Sequence, residues 1–496
     1  MSLSPEKLLE KIAVYNPGAD LNMVRLAFEY ARDAHEGQNR MSGDPYIIHP
    51  LRTAELLADM QLPTSIIIAG LLHDVPEDTK VTLDDIRRDF GEDIASMVAG
   101  ITKLGKIKYR GMERYIENLR KMFVAMASDL RVILIKFADR INNLETLDSL
   151  PPEKRARIAL ESLEIYAPIA NRLGMGEIKG KIEDLSFRHV LPKEYERIRQ
   201  LLAETISIKK NYIAGVSKIL EGDLKANAIP YLELSGRTKH LYSLYRKLQK
   251  YEDDISKIHD LIALRVIMPN VGDCYAALGI IHHRWKPLKG RIKDYIAQPK
   301  PNGYQSLHTT VFCEDGEIVE FQIRTKEMHD AAERGIAAHW QYDEDGKKVS
   351  SAMKKQLTWV KELADLQRDL EDADKFLEDL EMLKIDVFQN RIFVFTPKGD
   401  VIDLPEGATP VDFAYAIHTQ VGNKCVGARI NDKIVSLDTK LSSGDYCDVI
   451  TDKNRKGPSA DWLTFVKTHH ARSQIRSQTK AKLTDWMKNI GPGEKK

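Results

Sequence analysis

The chain has 496 residues, of which 43% are hydrophobic and 30% charged, with a formal net charge of +1. That length exceeds what one hydrophobic core organises, so several domains are expected, and no apolar run nears the roughly 20 residues that cross a bilayer, which argues against a membrane-spanning protein. The near-zero charge means that any anionic partner must be met by a local basic surface rather than by an overall field. The start, MSLSPEKLLEKI, lacks a basic stretch followed by an apolar one, so a cytoplasmic location is expected. Cys274, Cys313, Cys425 and Cys447 form no CxxC pair and have no histidine at zinc spacing; they read as small buried side chains.

From Leu21 to about Ala226 the apolar residues recur at helical spacing, as in MVRLAFEYARDAH and VILIKFADRINNLETL, and β-branched alternation is nearly absent. This part is predicted to be all-helical. Within it the apolar stretch SIIIAGLL runs straight into His73, Asp74, Glu77 and Asp78. Adjacent helical residues point about 100° apart, so His73 and Asp74 converge on one point only at a helix end, and Pro76 favours an end there. With His49 in YIIHP and Asp139 in FADRINNL they make two imidazoles and two carboxylates, a set that suits a divalent ion such as manganese. Taken singly, each also fits a structural role: a buried histidine, a capping acid, an Asp-Arg surface pair.

Near Ile229 the texture changes. IPYLELSGR, LIALRVIMP and TTVFCEDGEIVEFQIRT read as strands, the last a hairpin about Asp315-Gly316, and KHLYSLYRKLQKYE and VGDCYAALGIIHHRW read as helices, which predicts an α+β domain. Arg237, Lys239, Arg246, Lys247, Lys286, Lys289, Arg291, Lys293 and Lys300 make a basic field that suits polyphosphate or RNA equally. Asp260 and Glu320 sit inside it. Glu320, Gln322 and Arg324 alternate with Phe321 and Ile323, so the three polar groups share one sheet face, as an open active-site floor would.

KELADLQRDLEDADKFLEDLEMLK reads as a charged helical linker. From Arg391, two strands about a Pro-Lys-Gly-Asp turn, a helix begun after Pro410 and strands at CVGARI and YCDVIT predict a compact β-rich module ending near Asp452, followed by the start of a helical region. The expected domains are 1–195, 196–345, a linker at 346–388, a module at 389–452, and 453–496.

The His…His-Asp…Asp pattern resembles the HD superfamily of metal-dependent phosphohydrolases. Its flanks, RMSGDPYIIHP, LLHDVPEDT, VTLDDI, ITKLGKIKY and ADRINNLETL, are similar to the hydrolase domain of the RelA/SpoT family, which makes and degrades the alarmone (p)ppGpp in the stringent response. The resemblance implies that His49, His73, Asp74 and Asp139 hold Mn2+. Glu77 and Asp78 would act on the attacking water and the leaving oxygen as pyrophosphate is removed from the 3′ position, leaving GDP or GTP. Arg40, Ser42, Asn143 and Thr146 would line the nucleotide pocket. Two positions depart from the usual pattern: Met41 stands where a basic residue is common, and Pro76 where a β-branched aliphatic is commoner. The missing cation at Met41 would weaken substrate binding.

GRTKHLYSLYRK, DLIALRV, RIKDYIAQPKPNGYQSLHTTV and VEFQIRT resemble the synthetase domain of the same family, implying pyrophosphate transfer from ATP to the 3′ hydroxyl of GDP or GTP. Asp260 and Glu320 would hold Mg2+, with Glu320 as base. Arg237 would stack on adenine, while Lys239, Lys247 and Lys293 neutralise phosphates. Tyr304 would stack under guanine beside Asn302, with His308 near and Gln322 on the floor. RIKD, residues 291 to 294, is the basic version of a motif carried by bifunctional members, so both activities are expected. Residues 391–452 resemble the TGS domain, a ubiquitin-like β-grasp module, whose histidine at the position of His418 is implicated in contacting the CCA end of uncharged tRNA on the ribosome. A histidine at a helix end is equally a capping residue. Two other readings stand beside this one: a hydrolase whose second domain only binds nucleotide, and a tRNA-binding or ribosome-binding regulator without catalysis.

Overall fold

The computed structural model describes residues 4–105, 122–340 and 391–479, apart from single positions at 123, 127, 259, 301, 399, 443, 456 and 469. The predicted linker helix at 346–388 and the end of the ITKLGKIKY motif lie outside the described residues. The chain divides into two compact units, Met1–Gln367 and Arg368–Lys496.

The first unit begins with helices α1 (Glu6–Tyr15), α2 (Leu21–Ala34), α3 (Ile48–Asp59), α4 (Thr64–Leu72), α5 (Val75–Asp78), α6 (Leu83–Phe90), α7 (Glu92–Gly105) and α8 (Arg131–Glu145). Starts follow side-chain caps: Asp20 accepts from the Asn22 and Met23 amides, and Thr82 forms a reciprocal box with Asp85. Helix α4 is buried on every side from Ile66 to Leu72. It lies so close to α3 that a Cβ on Gly70 would fall 2.4 Å from Leu57 Cδ1. That approach brings the C-terminal end of α4, with His73, beside the N-terminal end of α3, with His49. Helix α8, mostly buried, crosses both.

Next come α9 (Pro152–Glu161), one π turn (Ser162–Tyr166), α10 (Ala167–Arg172), α11 (Gly176–Val190) and α12 (Pro192–Ala226). The 35-residue α12 serves two cores. Its first half places Ile198 and Leu202 against Phe187, Leu244 and Leu248. Its second half lays Ile213, Val216, Leu220 and Leu224 on a mixed sheet.

That sheet contains β1 (Glu233–Thr238), β2 (Ile262–Met268), β3 (Lys286–Pro287), β4 (Lys293–Asp294), β5 (Leu307–Phe312) and β6 (Ile318–Thr325), in the order β1-β2-β6-β5-β3 with β4 also on β5. Only β2 and β6 run parallel among these pairs. Helices α13 (Leu241–Lys250), α14 (Val271–Arg284), α15 (Lys326–Arg334) and α16 (Ala337–Trp340) complete the unit. Because strand side chains alternate, Leu264, Val266, Phe321 and Ile323 face α12 and α14 while Arg265, Glu320 and Gln322 face the other way. The expectation of an open floor needs one correction. Arg324 shares that face but is fully buried, bonded to His329 and Glu333 of α15 at 2.8 and 2.7 Å.

In the second unit, β7 (Arg391–Phe395) and β8 (Val401–Pro405) form a hairpin, and β9 (Cys425–Ile430), β10 (Lys433–Val435) and β11 (Cys447–Thr451) a sheet in the order β10-β9-β11. Helix α17 (Pro410–Ile417) starts at a Thr409-Asp412 capping box with proline in its first turn, and α18 (Thr419–Lys424) follows. The core continues beyond Asp452: Trp462, Val466, Ala471 and Ile475 pack with Val411, Ala414 and Tyr415. Buried Asp412 accepts from the amides of Lys467 and Thr468 at 2.9 and 2.7 Å, which ties the following segment to the module. All four cysteines are free and buried.

Candidate functional site

His49 opens α3, His73 closes α4, Asp74 precedes α5 and Asp139 sits mid-way along α8. All four meet. His49 Nε2 lies 3.3 Å from Asp74 Oδ2 and 3.2 Å from Asp139 Oδ1, and His73 Nε2 lies 3.1 Å from Asp74 Oδ1. Separations near 3 Å are those of donor atoms on one ion with bonds of about 2.1 Å. His73 Nδ1 is 2.8 Å from the carbonyl of Gly70, which can only accept, so Nδ1 carries the hydrogen. Its Nε2 is buried and makes no hydrogen bond, though it lies beside the Asp74 carboxylate. With His49 and Asp74 that nitrogen makes a donor set that fits a divalent metal.

The ligands are held from behind. The Asn142 amide spans His49 Nδ1 at 2.7 Å and the His49 carbonyl at 3.0 Å. Lys136, half-buried one turn before Asp139, donates to Asp139 Oδ2 at 2.7 Å and leaves Oδ1 toward His49. Burial would raise the Asp139 carboxyl, but the Lys136 ammonium and His49 outweigh it and hold it well below the usual range. At Asp74 burial is likewise outweighed, there by His73 and His49. Both acids are anionic, as ligands must be.

Residues 38–46 form a strap over this cluster, closed by Tyr46 N to Gln38 O at 3.0 Å and turning at Gly43, whose φ is +88°. Arg40 on the strap donates to Asn143 Oδ1 at 2.8 Å, and Asn143 donates to Asp139 Oδ1 at 2.6 Å, so Arg40 and Asn143 reach the centre. Ser42 is exposed and pairs with Asp44 in its own turn at 2.9 Å. Thr146 caps α8, bonded to the Asn142 carbonyl at 3.1 Å. Met41 is 74% exposed on the strap. Glu77 and Asp78 lie on α5, with Glu77 Oε1 buried. The Tyr46 hydroxyl lies 2.6 Å from Asp78 Oδ2 and 2.9 Å from Asp74 Oδ2. Burial, then Asp74 and Asp78, push its ionisation far above the ordinary tyrosine range, so it keeps its proton. Reading the sequence missed Lys136, Asn142 and Tyr46. Lys136 had a usable signal, one helical turn before Asp139; the other two did not.

The second candidate site is a cavity of about 460 Å3 on the polar face of the mixed sheet. The register aligns Lys293 with His308, His308 with Gln322, and Gln322 with Arg265. Arg237 donates to Gln322 Oε1 at 3.2 Å, and Gln322 donates to Glu320 Oε1 at 2.9 Å. On the other side the Tyr304 hydroxyl is 2.8 Å from His308 Nε2, and His308 Nδ1 is 3.3 Å from Glu320 Oε1. Burial pushes His308 down toward the neutral form. At Glu320 burial is outweighed by His308, which keeps that carboxyl ionised.

Asp260 is engaged by two ammonium groups, Lys239 at 2.6 Å and Lys247. Burial would raise it, yet the lysines hold it at about 2. Burial draws Lys239 down to about 8, and at Lys247 Asp260 outweighs burial and holds the ammonium up. Lys300 is likewise lowered to about 8, by burial and then Lys293, and its ammonium lies 4.5 and 5.0 Å from the ring centres of Tyr295 and Tyr304. Asn302 reaches across to the Asn171 carbonyl at 3.4 Å. All the expected residues of this site line one cavity. Tyr295 was not anticipated, nor was the Arg265-Glu333-Arg324 cluster under the floor.

In the second unit, exposed His418 lies between α17 and α18, and its Nδ1 accepts from the Gln420 amide at 3.2 Å, a helix cap. No helix among the described residues is long and apolar enough to cross a membrane.

Three family models match: an HD domain over residues 27–176, a region found in RelA/SpoT proteins over 236–347, and a TGS domain over 392–451. An HD domain implies a divalent metal, in agreement with the donor set around His73. A GTP pyrophosphokinase of Myxococcus xanthus is 48% identical over 95% of this chain and 62% of its own length. A guanosine-3′,5′-bis(diphosphate) 3′-pyrophosphohydrolase of Aquifex aeolicus and the bifunctional (p)ppGpp synthase/hydrolase SpoT of Escherichia coli are each 45% identical over 96% of this chain and 67% of their own. The chain spans between 55% and 62% of the length of the first three curated relatives it matches. With kinship this extensive running through both sites and the module beyond them, the chain belongs to the RelA/SpoT family.

Proposed function

We propose that the chain is a bifunctional alarmone enzyme, degrading (p)ppGpp at the helical site and making it on the mixed sheet. The observation that carries the first half is the buried, hydrogen-bond-free Nε2 of His73 amid three further donors. His49, His73, Asp74 and Asp139 would hold Mn2+, which when bound supplies Lewis-acid activation of a water. Glu77 takes the proton from that water, and Asp78 serves the departing 3′ oxygen. Arg40 offers a planar fork to a phosphate, and Ser42, Asn143 and Thr146 frame the nucleotide. Pyrophosphate leaves, and GDP or GTP remains.

In the synthetase reading, Glu320 is the base on the 3′ hydroxyl of GDP or GTP. Its support is the chain of contacts that fixes it: Gln322 on one side, His308 and Tyr304 on the other. Asp260 and Glu320 are two carboxylates of the kind that share Mg2+ with substrate phosphates. Lys239 and Lys247 then exchange Asp260 for the phosphates of ATP, with Lys293 adding a further cation, Arg237 stacks on adenine, and Tyr304 with Asn302 receives guanine. The attack of the ribose oxygen on the β-phosphorus of ATP transfers pyrophosphate and releases AMP.

Such opposed reactions call for coordination, and we read nucleotide in one site as closing the other. The support is the turn after α10. Gly174, at φ +74°, lies so near the nucleotide loop that a Cβ there would fall 2.8 Å from Asn302 O. We also place the protein in the cytoplasm, where these nucleotides are, and we read His418 as a contact for uncharged tRNA and the ribosome through its exposed ring. The test is paired: AMP release from ATP plus GDP, and pyrophosphate release from ppGpp, with Mg2+ and Mn2+ varied separately. Absence of either product removes the corresponding half of the proposal. Failure of both together with tight tRNA binding would favour a purely regulatory protein.

A further inference from the structure

Four acidic or imidazole groups and two further acids crowd the helical site, and only some of them can bind an ion if others are to act on substrate. Asp78 is the exposed one, a single turn after Asp74. A divalent ion beside Asp74 attracts the Asp78 carboxylate too. What restrains it here is a hydroxyl. Tyr46 lies 2.6 Å from Asp78 Oδ2 while also touching Asp74 Oδ2 at 2.9 Å.

Tyr46 is itself fixed. Its ring stacks on buried His35 at 4.4 Å between centres and 17° between planes. His35 Nδ1 pairs with Gln38 Oε1 at 2.9 Å, and Gln38 Nε2 donates to the Asp78 carbonyl at 2.8 Å. The strap thus holds both the backbone and the side chain of Asp78. We propose that Tyr46 is a positioning residue that keeps Asp78 outside the metal's coordination and turned toward the substrate, so that Asp74 serves the ion and Asp78 the reaction. This rests on the hydrolase reading above.

The consequence separates metal binding from turnover. Tyr46→Phe keeps the ring on His35 and removes only the hydroxyl, so thermal unfolding should be nearly unchanged. Released Asp78 can then swing to the ion. The full chain should bind Mn2+ as tightly as before or tighter, by titration calorimetry without substrate. Its kcat for ppGpp hydrolysis should fall about 10–100-fold, with KM within about twofold. In an Asp78→Ala background, adding Tyr46→Phe should cost nothing further, because the two changes remove one arrangement.

Three results would overturn the inference: an unchanged kcat in Tyr46→Phe, Mn2+ binding weakened as much as turnover, or an equal further loss in the Asp78→Ala background. The second would mean that the hydroxyl serves Asp74 instead. A wild-type chain that does not hydrolyse ppGpp with Mn2+ would sink the hydrolase reading itself, a separate outcome from an active wild type that ignores Tyr46→Phe.

Discussion

The helical site and the sheet site hold their charges in opposite ways. Around His49 and His73 the donors are mostly buried and braced from behind by Asn142, Lys136 and a main-chain carbonyl, and His73 Nε2 makes no hydrogen bond. On the sheet, the key acids already have partners: Asp260 holds two lysines, and Glu320 holds Gln322 and His308. The first site has the donor set of a divalent-metal centre. The second is a set of internal ion pairs that, in the proposed synthetase reaction, substrate would exchange for its own phosphates and metal. Preorganisation and exchange should therefore fail differently when perturbed.

The largest effects should come from the braced site. Asp139→Ala should abolish Mn2+ binding and hydrolysis together, because an ion cannot be held by the remaining donors with the same geometry. Glu77→Ala should bind Mn2+ normally while turnover falls about 10²–10⁴-fold. Equal metal loss in both variants, by calorimetry, would make Glu77 a ligand and blur the contrast. Lys136→Met should sit between them, with Mn2+ affinity down about 10–100-fold as Asp139 loses its orienting partner.

The exchange site should instead respond to pH. Lys239 and Lys300, each near about 8, are cationic below that value and lose charge above it. Phosphate affinity then falls as pH rises. KM for nucleotide in the synthetase reaction should climb roughly tenfold from about pH 7 to about pH 9 for each lysine that must be protonated. A flat KM would place the phosphate contacts elsewhere.

Smaller changes sharpen the rims. Met41→Lys restores a cation on the exposed strap and should lower KM for ppGpp a few-fold, an effect that salt should erase. Gly174→Ala adds a Cβ in a positive-φ turn against Asn302 O and should cost about 1 kcal/mol or more in thermal unfolding. It should also weaken any inhibition of ppGpp hydrolysis by a non-hydrolysable ATP analogue plus GDP. Hydrolysis that ignores those nucleotides in the wild type would remove the proposed coupling.

Much of this was legible in the chain. The helix end at His73 was legible from Pro76 and from the need of the adjacent His73 and Asp74 to converge on one point. Strand alternation placed Glu320 and Gln322 on one face. The bracing groups were not legible: Asn142 reaches the site through the packing of α8 on α3, and Tyr46 through the strap at 38–46. Arg324 was expected on an open floor, and burial under α15 with Glu333 as its counter-ion is a tertiary fact that alternation cannot express. The core running on to Trp462 and Ile475 was hidden likewise, since its seam is the side chain of Asp412 rather than a local pattern.

The account stands most directly on the independence of the two chemistries. Both reactions should be measured on Asp139→Ala and on Glu320→Gln in the same buffer. The prediction is a clean exchange: Asp139→Ala loses ppGpp hydrolysis but still releases AMP from ATP plus GDP, and Glu320→Gln does the reverse. If either substitution abolishes both reactions, or if AMP release survives Glu320→Gln, the assignment of one reaction to each site is wrong.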